Sequence, residues 1–157
     1  MDMGNVEPAS VSTTVPEVAC SVAEKHQRSD DLQLDVEEGH VRVPAEKLRK
    51  IIEELVDNAC KFSEAGKPVQ LRGQLKGNAY VISVVDQGRG MTPEQISKIG
   101  PHMQFERDTY EQQGSGLGLI IAKRLTELMG GQLNIRSVYG EGTTVELLFT
   151  VAPQSQG

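Results

Sequence analysis

Glu54, Asn58 and Lys61 stand at i, i+4 and i+7. At ~100° per residue of an α-helix they fall within an arc of roughly 60°. That arc flanks an apolar stripe of Leu48, Ile51, Ile52, Leu55, Val56, Ala59 and Phe62, so the three belong at the rim of a core, half shielded from water. An asparagine carbonyl oxygen is a neutral, hard ligand suited to Mg²⁺, which takes its other positions from phosphate and water. A lysine one turn further reaches a phosphate oxygen as a point charge. The same spacing also suits a surface helix with solvated i,i+4 polar pairs, and the residues alone leave both readings open.

Two glycine-containing segments add to this. Val84-Val85-Asp86-Gln87-Gly88-Arg89-Gly90-Met91 places a carboxylate directly after a buried-looking strand. Such a group can accept a hydrogen bond from an exocyclic amine like that of adenine, with Gly88 and Gly90 letting the backbone turn tightly beside a ligand. Asp and Gly also dominate ordinary turns. Gly114-Ser115-Gly116-Leu117-Gly118-Leu119 opens a helix. Alternate glycines leave the N–H groups of a helix N-terminus open to phosphate, and Ser115 is a suitable cap. The spacing is neither the dinucleotide fingerprint nor a P-loop; close helix packing is the bland alternative.

The elements that must carry these groups follow from periodicity and breakers. Residues 1–30 read as a flexible leader or linker with a short helix around Val18–His26, and 153–157 as a tail. A strand is expected over Asp31–Val36 and another at Val41–Val43, then a helix opened by Pro44 and running to Phe62. Val69–Lys76 and Ala79–Asp86 form a hairpin around Gly77-Asn78. The polar stretch from Gly100 to Gln113 reads as a mobile loop. A helix over Gly116–Met129 stops at Gly130-Gly131, and strands over Gln132–Val138 and Thr143–Val151 finish the fold. Two long helices and several hairpin-connected strands give an α/β (α+β) two-layer sandwich, helices on one face of a sheet, with 31–152 as the domain.

The 157 residues suffice for one domain with a real core. A formal charge of −6 argues against nucleic acid or a membrane surface as partner. No apolar run approaches a membrane span, and the N-terminus lacks a secretory pattern. Cys20 and Cys60 have no metal-ligand spacing, which suits a reducing compartment, so a cytoplasmic location is expected.

The boxes, taken in order, resemble the GHKL superfamily of ATPases and kinases, which includes gyrase, the large heat-shock chaperones, histidine kinases and mismatch-repair MutL. Glu54-Leu55-Val56-Asp57-Asn58-Ala59-Cys60-Lys61-Phe62-Ser63 looks like the N box, and Asp86-Gln87-Gly88-Arg89-Gly90 like the first glycine box. Phe105-Glu106-Arg107 looks like the F box, Gly114–Leu119 like the second glycine box and Gly142-Thr143-Thr144-Val145 like the closing strand motif. The match spans roughly Asp31 to Val151.

The resemblance implies a Bergerat-type fold: a mixed, mainly antiparallel sheet with helices on one face and a mobile ATP lid. It implies ATP and Mg²⁺ as ligands, with Asn58 on the metal, Lys61 on the phosphates and Asp86 on the adenine amine. Gly88, Gly90 and Thr143 support the adenine contact. Gly114, Ser115, Gly116, Leu117 and Gly118 close on the triphosphate, and Phe62 and Leu119 line the pocket. The N-A-x-K-F-S ending and the F box point within the superfamily to histidine kinases of two-component signalling. Such kinases work with a dimerisation and phosphoacceptor domain and a downstream response regulator.

One position departs from the pattern. Many histidine kinases resemble N-L-x-x-N, but the first residue here is Glu54, and in ATP-hydrolysing branches a glutamate there activates water. Slow hydrolysis, orientation of a metal-bound water and assistance to transfer all remain open for it. None of His26, His40 and His102 stands in a phosphoacceptor box, and His26 reads as an exposed bystander. A fragment of a larger kinase, or a stand-alone domain acting on a partner, is therefore expected. A GHKL ATPase or serine-kinase regulator using Glu54 as base is the alternative, and a nucleotide-dependent binding switch without catalysis is a third.

Overall fold

The computed structural model describes residues 9–88, 117–138 and 142–151. In chain order the elements are β1 (Ala9–Ser10), α1 (Val11–Lys25), a 3₁₀ turn (Ser29–Asp31), β2 (Leu32–Val36), β3 (His40–Val41), α2 (Ala45–Phe62), β4 (Val69–Lys76) and β5 (Ala79–Asp86). After the segment outside the described residues come α3 (Leu117–Leu128), β6 (Gln132–Val138) and β7 (Gly142–Thr150). The main sheet runs in the order β2-β4-β5-β7-β6. Among the described residues of this sheet only β2–β4 is a parallel pair; the other three pairings are antiparallel. This is the mixed, mainly antiparallel sheet expected from the boxes.

Strand parity decides which side chains meet the helices. On β5, Tyr80, Ile82 and Val84 are buried, and on β7 Val145, Leu147 and Phe149 are buried. All join one core cluster with Leu48, Ile51, Ile52 and Leu55 of α2 and Leu119 and Ile120 of α3. Alternate positions such as Arg72, Gln74 and Thr150 are exposed, as period-2 alternation on a one-sided sheet requires. Asp86 and Thr143 are the last and second positions of β5 and β7, and they continue the inward rows Tyr80-Ile82-Val84 and Phe149-Leu147-Val145. A carboxylate thus stands where the pattern would otherwise put another core residue.

The flexible leader expected for residues 1–30 is replaced from Ala9 onward by structure. Helix α1 buries Val11, Val15, Val18, Ala19 and Val22 along one stripe, and α1 packs on α2 and on β2. β1 pairs with β3 through Ala9↔Val41, and Val41 bridges to Val151. The short helix expected around Val18–His26 is the C-terminal half of α1, and the first half was missed because its valines and threonines are weak helix formers and Pro16 lies inside it. Burial of the valine stripe overrides both. The helix closes with Gln27 at φ 58, the Arg28 N–H bonded to Ala23 O and the Gln27 N–H to Glu24 O. This is a left-handed C-terminal cap with glutamine in the place glycine usually takes.

Tyr80 fills the sheet between Gly39 and Gly73. A Cβ at residue 39 would lie 2.7 Å from the ring, and one at residue 73 would lie 2.5 Å from the hydroxyl oxygen. The hydroxyl donates to Glu37 O, and burial pushes its pKa up to about 12.

Candidate functional site

Helix α2 carries Glu54, Asn58 and Lys61, as its sequence spacing predicts. Glu54 is 16% exposed; one carboxylate oxygen pairs with Lys50 Nζ at 2.7 Å. The other faces α3, where a Cβ on Gly118 would lie 2.7 Å from Oε1. The hydrogen bond with Glu54 raises the Lys50 pKa. Asn58, one turn further, is half-buried, and its carboxamide forms no hydrogen bond among the described residues. Lys61 is exposed with Nζ 3.2 Å from Asp57 Oδ2. Asp57 also accepts from His26 Nε2 at 2.7 Å. Burial pushes the Asp57 carboxyl up, but the hydrogen bonds from His26 and Lys61 outweigh it and hold the group below its ordinary range. His26 is therefore a partner of the α2 helix rather than a bystander.

Asp86 is the last residue of β5. It is 6% exposed, and its Oδ1 accepts the Gly88 N–H at 2.9 Å in an Asx turn. Burial raises its pKa, while the Gly88 and Thr143 backbone N–H groups and the Arg28 charge act in the opposite sense. Thr143 is its register partner across β5–β7. Gly142 has φ +140, and a Cβ there would collide with the Asp86 carbonyl oxygen, so only glycine lets β7 begin this close to the end of β5. A buried carboxylate whose acceptors are only partly used by backbone is suited to a ligand N–H donor.

Leu119 is buried in the core at the start of α3, and Leu117 opens that helix. Phe62 ends α2. Gly90, Gly114, Ser115, Gly116, Phe105-Glu106-Arg107 and His102 lie outside the described residues. The described site thus brings together Glu54 with Gly118, and Asp86 with Gly88 and Thr143.

Sequence reasoning missed Arg28. It is 4% exposed, and each of its five N–H donors has an acceptor: Asp31 Oδ2 at 2.5 Å, then Cys60 O, Ser63 O, Ser63 Oγ and Lys67 O, each at 3.0 Å. Its signal was a basic residue two positions after the expected helix end at His26, but four of its five acceptors lie 32 to 39 residues further along the chain.

The family described as histidine kinase-, DNA gyrase B- and HSP90-like ATPases matches residues 43–153. The chain belongs to this family. Within it, the chain is 31% identical over 157 residues to the sensor histidine kinase YkoH of Bacillus subtilis, covering 96% of this chain and 32% of YkoH. It is 34% identical over 116 residues to the histidine protein kinase DivJ of Caulobacter vibrioides, covering 72% of this chain and 19% of DivJ. The chain therefore spans a third or less of these relatives. Among solved structures, the mycobacterial sensor histidine kinase MprB superposes with a TM-score of 0.74 at 23% identity, over 95% of this chain and 99% of that one. Full-length ShkA, solved in complex with AMPPNP, superposes with a TM-score of 0.73 at 22% identity, over 96% of this chain and 32% of ShkA. The domain is a histidine-kinase-type ATPase domain, and its sandwich is the fold those kinases share. Among the described residues no helix is long and apolar enough to cross a membrane.

Proposed function

We propose that this domain binds Mg-ATP between α2, α3 and the paired end of β5 and start of β7, and presents the γ-phosphate to a histidine on a separate dimerisation and phosphoacceptor domain of the same kinase. The observation that carries the reading is Asp86. A carboxylate kept in the inward row of β5, raised in pKa by burial and fixed by Gly88, is costly to the fold and suited to reading the adenine amine.

Asn58 fits the metal role, because its half-buried carboxamide is not engaged by the described residues. It would be the protein's ligand to Mg²⁺, which when bound neutralises phosphate charge and takes its remaining positions from phosphate and water. Lys61 exchanges Asp57 for a phosphate oxygen. Leu119 and Phe62 belong to the pocket lining, and Gly90, Gly114, Ser115, Gly116, Leu117 and Gly118 to the loops that close on the phosphates. The acceptor lies elsewhere: His26 is engaged with Asp57 and His40 sits on β3, neither in a phosphoacceptor sequence. The phosphoryl group then passes to a response regulator, and the need for ATP points to the cytoplasm.

Glu54 supports a second reading, an ATPase or serine-kinase regulator with Glu54 as base, because its carboxylate stands at the α2–α3 junction beside Gly118. One experiment separates the two. Radiolabelled Mg-ATP is given to the domain with and without the dimerisation domain of its own kinase. Acid-labile phosphate appearing on that partner supports the first reading. Release of inorganic phosphate by the isolated domain, abolished in Glu54→Ala with nucleotide binding intact, supports the second. Failure to bind Mg-ATP removes both.

A further inference from the structure

Arg28 lies outside every box, yet its environment is built as carefully as that of Asp86. A buried guanidinium is tolerated only when its donors are satisfied, and four of its five acceptors belong to one stretch, Cys60 to Lys67. That stretch contains the end of α2 and the loop into β4. Helix α2 ends without a glycine cap: Ser63 is extended at φ −120. Its last carbonyls need partners. Ser63 Oγ donates to Ala59 O at 2.7 Å and Arg28 Nη1 donates to Cys60 O at 3.0 Å. A cation at the negative end of the helix also suits the helix dipole. The arrangement is completed by Asp31, which holds Arg28 Nε and accepts the Gly66 N–H at 2.9 Å.

The loop joins the two walls of the site. Its α2 side begins one turn after Asn58. Its β4 side leads to Val69, the register partner of Asp86. Through Cys60 and Ser63 on one side and Lys67 on the other, one planar group holds both ends, and its charge reaches Asp86 itself. We propose that Arg28 is a positioning residue for the nucleotide, fixing the Asn58-bearing end of α2 against the Asp86-bearing end of β5. This rests on the Mg-ATP reading above. A ligand that bridges both walls feels their relative position, whereas one that touches a single wall does not.

The test compares Mg-ATP, which spans both walls, with adenosine, which lacks the phosphates and metal and so makes no contact with Asn58. Arg28→Lys keeps the charge but cannot reproduce the planar fork of donors. The expected result is Mg-ATP binding weakened about tenfold by calorimetry, with adenosine affinity by ligand-observed NMR within about twofold of wild type. In an Asn58→Ala background the Arg28→Lys effect on Mg-ATP should shrink toward none, since the metal-side contact it positions is already gone. A folded Arg28→Lys protein with unchanged Mg-ATP affinity, or with adenosine weakened in step, overturns the proposal. If Arg28→Lys does not fold, Ser63→Ala decides: it removes one of the five contacts, and selective weakening of Mg-ATP supports the role whereas unchanged binding overturns it. A wild-type protein that binds no Mg-ATP instead sinks the underlying reading, which the wild-type titration shows by itself.

Discussion

Glu54 on α2 and Gly118 on α3 share one space, with the Glu54 Oε1 atom 2.7 Å from where a Cβ of residue 118 would be. Gly118 is the second residue of α3, and a side chain there would have to displace the carboxylate. Gly118→Ala is expected to leave stability within about 1 kcal/mol of wild type, because the flexible glutamate can swing aside while the helix gains propensity. What it should lose is whatever Glu54 does. At saturating Mg-ATP, so that any loss of phosphate binding by the loop of Gly118 is removed, phosphotransfer or ATP turnover in Gly118→Ala should fall to the level of Glu54→Ala, and the double variant should be no worse than either. Full activity in Gly118→Ala would show that Glu54 need not lie against α3.

Tyr80 predicts both a packing cost and an alkaline limit. Its ring is fully buried with no room beside Gly73, so Gly73→Ala should destabilise by about 1–3 kcal/mol in urea unfolding, although alanine is ordinarily better than glycine in a strand. The hydroxyl has a folded pKa raised from 10.0 to about 12. A raised pKa contributes stability that is complete below the unfolded value and lost as pH climbs through the folded one. Thermal midpoints should therefore drop between about pH 10 and about pH 12, and Tyr80→Phe should flatten that slope.

Gln27 holds a left-handed conformation at the end of α1 with φ 58. Non-glycine residues there cost about 1–2 kcal/mol. Gln27→Gly is expected to raise stability by about 1 kcal/mol, read as a higher urea midpoint at unchanged slope. A lower midpoint would mean that the glutamine side chain contributes something its exposed position does not show.

Much of this architecture is legible in the sequence, and the failures have a physical pattern. Helix α2 and the β4–β5 hairpin have strong periodicity, a proline at the helix start and a Gly77 turn with φ +62; the hairpin's limits are those read from the residues, and α2 begins one residue later, at Ala45. Asp86 was legible as an acid after a strand, because the strand's alternation is intact up to it. The first half of helix α1 was not, since β-branched residues and Pro16 speak against a helix until its valine stripe has α2 to pack on. The roles of His26 and Arg28 were also hidden, because their partners Asp57 and the Cys60–Lys67 stretch are more than 30 residues away. The pairing of β2 with β4, across the α2 crossover, likewise depends on packing that no local pattern encodes.

The central claim is that Asp86 reads the nucleotide, and Asp86→Asn tests it most directly. Burial raises the Asp86 pKa, so its stabilising contribution is present only at low pH and is lost as pH rises through the folded value. At neutral pH the charge is a cost, and asparagine should leave the thermal midpoint equal or higher. Binding should respond in the opposite direction, because the charged acceptor for the adenine amine is gone. Calorimetric titration of Mg-ATP is predicted to show a clear isotherm for the wild type and at least about tenfold weaker binding for Asp86→Asn, with the fold intact. A folded Asp86→Asn protein that binds Mg-ATP as tightly as wild type would contradict the account.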